Sequence, residues 1–139
     1  MTNLFDDADV ISAYTRQDAL TDGVLIDVTP TATEAGFSIP VAMTSAAWHG
    51  TVRWTDADER NKSGGTGQSE DGRLWDVLWM AHAAVRSASN QAGRTLSYQL
   101  LRVPTEGRGT QARLVTLVLR ISGGDHGEPV MTITEPNED

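Results

Sequence analysis

Glu70-Asp-Gly-Arg-Leu-Trp-Asp-Val-Leu-Trp-Met-Ala-His-Ala-Ala-Val-Arg-Ser87 is the stretch on which the fold turns. Leu74, Val77, Leu78, Ala81 and Val85 recur at the spacing of one helix face. Trp75, Trp79, His82 and Arg86 form a second stripe beside them. From 74 to 85 only Asp76 and His82 are polar. A helix apolar round most of its circumference is expected to be buried or covered on two sides. The stretch is read as the central helix of the fold, with Gly93 marking the exit.

Three strand-like runs follow it: Thr95–Val103, Ala112–Ile121 and Pro129–Thr134. Their connections are short and Gly-containing, so neighbouring strands should form an antiparallel meander. In the middle run Val115, Leu117, Leu119 and Ile121 line one face while Leu114 and Val118 sit on the other, which suits a central strand. In the last run Met131 and Ile133 alternate with Thr132 and Thr134, as in a half-exposed strand.

Before the central helix the elements are shorter. Thr15 with Asp18 three residues on resembles a capping box, and Gly23 is placed to end that helix in a left-handed conformation. Val24–Val28 reads as a strand. Thr29-Pro30 opens another helical turn that Gly36 stops. Phe37–Met43 is apolar but interrupted by Pro40, so an edge or extended segment is expected. Thr44 or Ser45 caps a short helix through Trp48. Residues 55–70 are polar and Gly-rich and bury too little apolar surface to offset chain entropy; a mobile loop is expected. The fold class is α+β in a single domain, 1–139. A sheet of about three to five strands, with its antiparallel C-terminal meander, packs on the Trp-rich helix, and an acidic tail closes the chain at 135–139.

Composition bounds the function. At 139 residues the chain can bury a core without metal or disulfide. There is no cysteine, which removes thiol catalysis and cysteine metal sites. The net charge of −8 argues against direct nucleic-acid binding and against anionic membranes. No apolar run is long enough to span a bilayer and the N-terminus is acidic, so a soluble cytoplasmic protein is expected. The charge is uneven: residues 1–27 carry six acids against Arg16, and 121–139 carry five acids and no base. The segment between is nearly neutral. Two acidic ends could form one face that docks on a basic partner such as a protein's nucleic-acid groove.

Signals for chemistry are few. Gly64-Gly-Thr-Gly67 lacks the Lys-Ser/Thr of a phosphate loop and the strand before it. Asp125, His126 and Glu128 are ligand types, but one short loop makes a poor cage. There is no Gly-x-Ser-x-Gly elbow and no His-Glu-x-x-His helix. No catalytic residue, metal site or cofactor is assigned. Four tryptophans, Trp48, Trp54, Trp75 and Trp79, are large anchors; whichever of Trp75 and Trp79 protrudes could seat a partner. Trp54 beside Arg53 leads into the 55–70 segment and is expected to be exposed.

Several stretches together resemble a known group. They are Tyr14-Thr-Arg-Gln-Asp-Ala-Leu-Thr-Asp-Gly23-Val-Leu-Ile-Asp-Val28, Glu34-Ala-Gly-Phe37 with Pro40-Val-Ala and Trp48, Gly72-Arg-Leu-Trp-Asp-Val-Leu-Trp-Met80, and Gly127-Glu-Pro-Val-Met-Thr-Ile133 closing in Pro136-Asn-Glu-Asp139. They resemble a family of small uncharacterised proteins, a domain of unknown function, carried by phages, plasmids and other mobile elements. The resemblance implies a dispensable accessory protein in a bacterial cytoplasm and brings no catalytic residues. In that context the leading expectation is a non-enzymatic binder that inhibits a host defence protein, CRISPR–Cas or restriction, or another nucleic-acid-handling complex. Its partner-binding residues would be Asp6, Asp7, Asp9, Trp54, Glu135, Glu138 and Asp139. The alternative is a nucleotide-sequestering protein using Trp54 for stacking and Arg53 or Arg73 for phosphate, with the 60–69 segment as lid. A weak hydrolase or metalloenzyme around Asp125, His126 and Glu128 comes third. Under any reading a homodimer is open, through the Trp-rich helix or an edge strand after Pro40.

Overall fold

The computed structural model describes residues 14–88 and 94–138. Ten elements occur in this span: α1 (Arg16–Asp22), β1 (Leu25–Asp27), α2 (Thr29–Ala35), β2 (Val41–Thr44), α3 (Ser45–Thr51), α4 (Asp56–Arg60), α5 (Glu70–Ser87), β3 (Thr95–Arg102), β4 (Arg113–Gly123) and β5 (Pro129–Thr134). The strands form one mixed sheet in the order β1-β2-β5-β4-β3. β3, β4 and β5 make the antiparallel meander, Tyr98 opposite Leu117 and Leu119 opposite Ile133. β2 runs parallel to β5, Val41 beside Met131, and antiparallel to β1. The architecture is α+β.

α5 is the helix the 3.6-residue spacing predicts. Ser69 caps it by accepting from the Gly72 amide at 3.1 Å, Glu70 and Asp71 favour the positive end of its dipole, and Arg86 lies in its last turn. Leu74, Val77, Leu78 and Ala81 are buried against a core that includes Tyr98, Leu100, Leu117, Leu119, Met43 and Ile133. Tyr98 donates its hydroxyl to the Val77 carbonyl at 3.2 Å, joining sheet to helix through the core. Trp75 and Trp79 lie on the other side of α5, where neither is covered. The helix is covered on two sides, by the sheet at β3 and by α2, where His82 packs on Phe37, and leaves the Trp side open.

The short N-terminal elements stop where their glycines predict. Gly23 adopts φ 77° and Gly36 φ 115°, each closing a helix in the left-handed region. At Gly36 a Cβ would also come within 2.7 Å of His82 Nε2, whose ring packs edge-on to Phe37.

Two expectations are corrected. The segment after Pro40 is no edge: β2 is hydrogen-bonded to β1 on one side and β5 on the other. Pro40 stands one residue before the strand, so its missing N–H falls outside the ladder, while its carbonyl accepts from the Met131 amide at 2.9 Å. Residues 55–70 are not a featureless loop. Thr55 and Asp58 form a complete capping box over α4, and the Lys62 side chain is buried with its ammonium on the carbonyls of Glu106 and Gly107. The Glu59 carboxylate gathers the amides of Thr66 and Gly67 and the Thr66 hydroxyl. Polar side chains supply here the contacts that apolar ones do not.

Candidate docking surface

α5 turns its unpacked stripe toward the free side of β3. Trp75 and Trp79, one helical turn apart, stack with ring centroids 5.8 Å apart and planes 21° from parallel. Trp79 is 53% exposed, and Met80 beside it 39%. On β3 and β4, Leu101 and Leu114 are register partners, both pointing away from the core, 62% and 60% exposed. A groove of about 400 Å³ runs between these groups, lined by Trp79, Met80, Leu100, Leu101, Leu114 and the Asp76–Arg102 pair. That pair, at 3.1 Å, joins α5 to the end of β3. Exposed indoles beside a neutralised arginine are the side chains enriched at binding hot spots. Contiguous apolar surface of this kind marks an interaction site more often than it decorates a free surface.

The residues singled out from sequence fall elsewhere. Trp54 is not exposed: it is 6% accessible, with the Arg73 guanidinium 4.8 Å and the Lys62 ammonium 6.0 Å from its ring. Its N–H is turned toward the Glu59 carboxylate without reaching hydrogen-bond geometry. Glu59 is held down to about 2 by the Thr66 hydroxyl and the Thr66 and Gly67 amides. Arg73 is fully buried and cannot meet a phosphate from solvent. It donates to the carbonyls of Val52 and Val103 and to the Gln68 side chain, leaving Nη2 without a partner. Burial, with the Arg102 charge adding to it, lowers its pKa to about 10. Arg53 is exposed, so the three residues of the nucleotide reading do not share one accessible site.

Asp6, Asp7, Asp9 and Asp139 lie outside the described residues. Of the remaining end acids, Asp125 and Glu138 make contacts to the N-terminal half. Asp125 accepts from the Arg16 and Gln17 amides at 2.8 and 3.0 Å, which lowers its own pKa and ties the β4–β5 turn to the start of α1. Arg16 reaches Thr132 Oγ1 and the Met131 carbonyl, and its charge sits among Asp125, Asp27 and Glu128. Glu138 accepts from the Thr44 hydroxyl at 2.7 Å and from the Glu135 amide, so the acidic tail is anchored on β2. Arg16 thus sits with the turn acids Asp125 and Glu128 and with Asp27, while Glu138 is held separately at Thr44 at the end of β2. The indole groove is at the opposite edge, on β3. Acid and aromatic anchor do not form one surface.

Asp125 spends both oxygens on α1, and Glu128 accepts from the His126 amide at 3.2 Å, so this turn is held by local backbone bonds. Among the described residues no group of three or more His, Asp or Glu side chains is placed to hold a metal, and no helix is long and apolar enough to cross a membrane.

The chain belongs to DUF6573, a family of unknown function whose pattern matches residues 1–139. Among curated proteins and solved structures, none matches it.

Proposed function

We propose that this member of the family is a non-enzymatic protein-interaction module. The observation that carries the reading is the stacked, exposed Trp75–Trp79 pair opening onto the apolar groove at the β3 edge. An interface of this kind gains its energy from a few large anchors, not from a catalytic constellation.

The finer reading is an accessory protein of a phage or plasmid that binds and inhibits a nucleic-acid-handling host protein in the bacterial cytoplasm, a CRISPR–Cas or restriction component among them. What supports it is charge: the described acids outnumber the bases in both end segments, and Asp125 and Glu138 of the C-terminal one contact α1 and β2. A negatively charged face steers toward the basic grooves such proteins present to phosphate.

The test is affinity capture with the full chain from host lysate at two ionic strengths. A basic nucleic-acid-handling protein should be retained in low salt and lost by at least ~10-fold in about 0.5 M salt, where screening reduces the Debye length to a few ångströms. Capture of the same protein unaffected by salt would overturn the electrostatic mechanism.

A further inference from the structure

The two edges of the sheet are built differently. β1 is three residues long, ends in Asp27 and is flanked by acidic α1, so it offers little ladder to an incoming strand. β3 is eight residues long, with no proline and no lysine. Among the described residues no strand pairs with its outer side. Its outward side chains, Thr95, Ser97, Gln99 and Leu101, are uncharged. Natural sheets shield a long neutral edge with charge, proline, a bulge or a covering element, because it otherwise templates pairing. Here the edge instead runs into the apolar groove under Trp79.

We infer that the occupant of this edge is a second copy of the chain, pairing β3 to β3 antiparallel about a two-fold axis. The inference rests on the reading of this face as an interaction surface. Three features favour self-association over another partner. First, the strand is self-complementary: with the axis at Gln99, Leu101 faces Ser97 and Leu100 faces Tyr98 of the second copy. Arg102 then falls opposite Leu96 and Arg94 opposite Pro104, so no two like charges meet. Second, the one cation at the groove is already neutralised, Arg102 by Asp76, so two copies approach without a buried unpaired charge. Third, the apolar side chains that flank the edge, Trp79 and Met80 on α5 and Leu101 on β3, are exposed, and a second copy's β3 would cover part of each.

Pairing would join the sheets into one of ten strands. Each β1 edge, with α1 packed on it, would then stand at an outer end of the sheet.

The experiment is sedimentation equilibrium of the full chain over a wide micromolar range, with far-ultraviolet circular dichroism confirming that each variant folds. The wild type should reach twice the 15.0 kDa chain mass. Trp79→Glu and Leu101→Glu, both at exposed positions, should raise the dissociation constant by about 30-fold or more. Gln99→Lys and Gln99→Glu should each weaken the dimer by placing like charges at the axis, and mixing the two variants should restore it as a heterodimer. A wild type that stays monomeric throughout, or a dimer indifferent to Trp79→Glu and Leu101→Glu, overturns the inference. So does a dimer unaffected by both Gln99 variants. A monomeric wild type whose host capture falls with Trp79→Glu refutes the dimer and leaves the interaction module standing. A dimer that captures no host protein does the reverse.

Discussion

Trp54→Ala is expected to destabilise the fold by about 3–5 kcal/mol, the range for removing a buried large aromatic. The indole packs against two buried cations, Arg73 and Lys62. Its loss opens a cavity next to Arg73 Nη2, which has no hydrogen-bond partner, and removes the ring that faces this buried charge. Lys62 is the tie between the 55–70 segment and the β3–β4 connection at Glu106 and Gly107, so the damage should spread to that turn. Urea unfolding followed by circular dichroism measures it. A loss below about 1 kcal/mol would place Trp54 on the surface energetically, since surface substitutions rarely exceed that.

Arg73→Ala is expected to cost about 2–4 kcal/mol, mainly through the void left beneath Trp54 and the unpaired carbonyls of Val52 and Val103. Arg73→Met should cost much less, about 1 kcal/mol, because it fills the space and removes a poorly compensated buried charge beside Arg102. The order of the two variants separates packing from charge: if Met is as damaging as Ala, the guanidinium's hydrogen bonds dominate and the stacking account is wrong. A double-mutant cycle with Trp54→Ala should show coupling of roughly 0.5–3 kcal/mol, as for residues in direct contact.

What was legible in the sequence follows from which forces act locally. The leucine and valine spacing of α5 and the capping residues Thr15, Gly23, Gly36 and Thr44, the last read as Thr44 or Ser45, are short-range signals, and each led to the right element. The alternation in β5 found a strand but not the half-exposed one expected, since β5 lies between β2 and β4 with Val130, Met131, Ile133 and Thr134 all buried. The sheet's parallel β2–β5 pair was not legible, because pairing Val41 with Met131 is decided by contacts ninety residues apart. The capping box Thr55-x-x-Asp58 was a visible signal for α4, but the polar, Gly-rich composition around it outweighed it.

The docking surface was half legible. Two apolar stripes on α5 could be read, but periodicity cannot say which one meets the sheet. Arg73 shares the face of Val77 and Ala81, and a charged residue there argues for solvent until a buried ring is found to stack on it. That ring, Trp54, comes from nineteen positions earlier, and no spacing rule connects the two. Leu101 and Leu114 look like ordinary strand residues until the register shows them paired on the uncovered face. The contacts of Asp125 with the α1 amides and of Glu138 with Thr44 are likewise long-range and leave no mark in local spacing.

The account stands most directly on amide hydrogen exchange of the wild-type chain, resolved by strand and followed from low to high protein concentration. Amides of Thr95–Arg102 on β3 should slow as concentration rises, while those of Leu25–Asp27 on β1 stay unchanged. Exchange on β3 that is identical at every concentration, or slowing confined to β1, would contradict it.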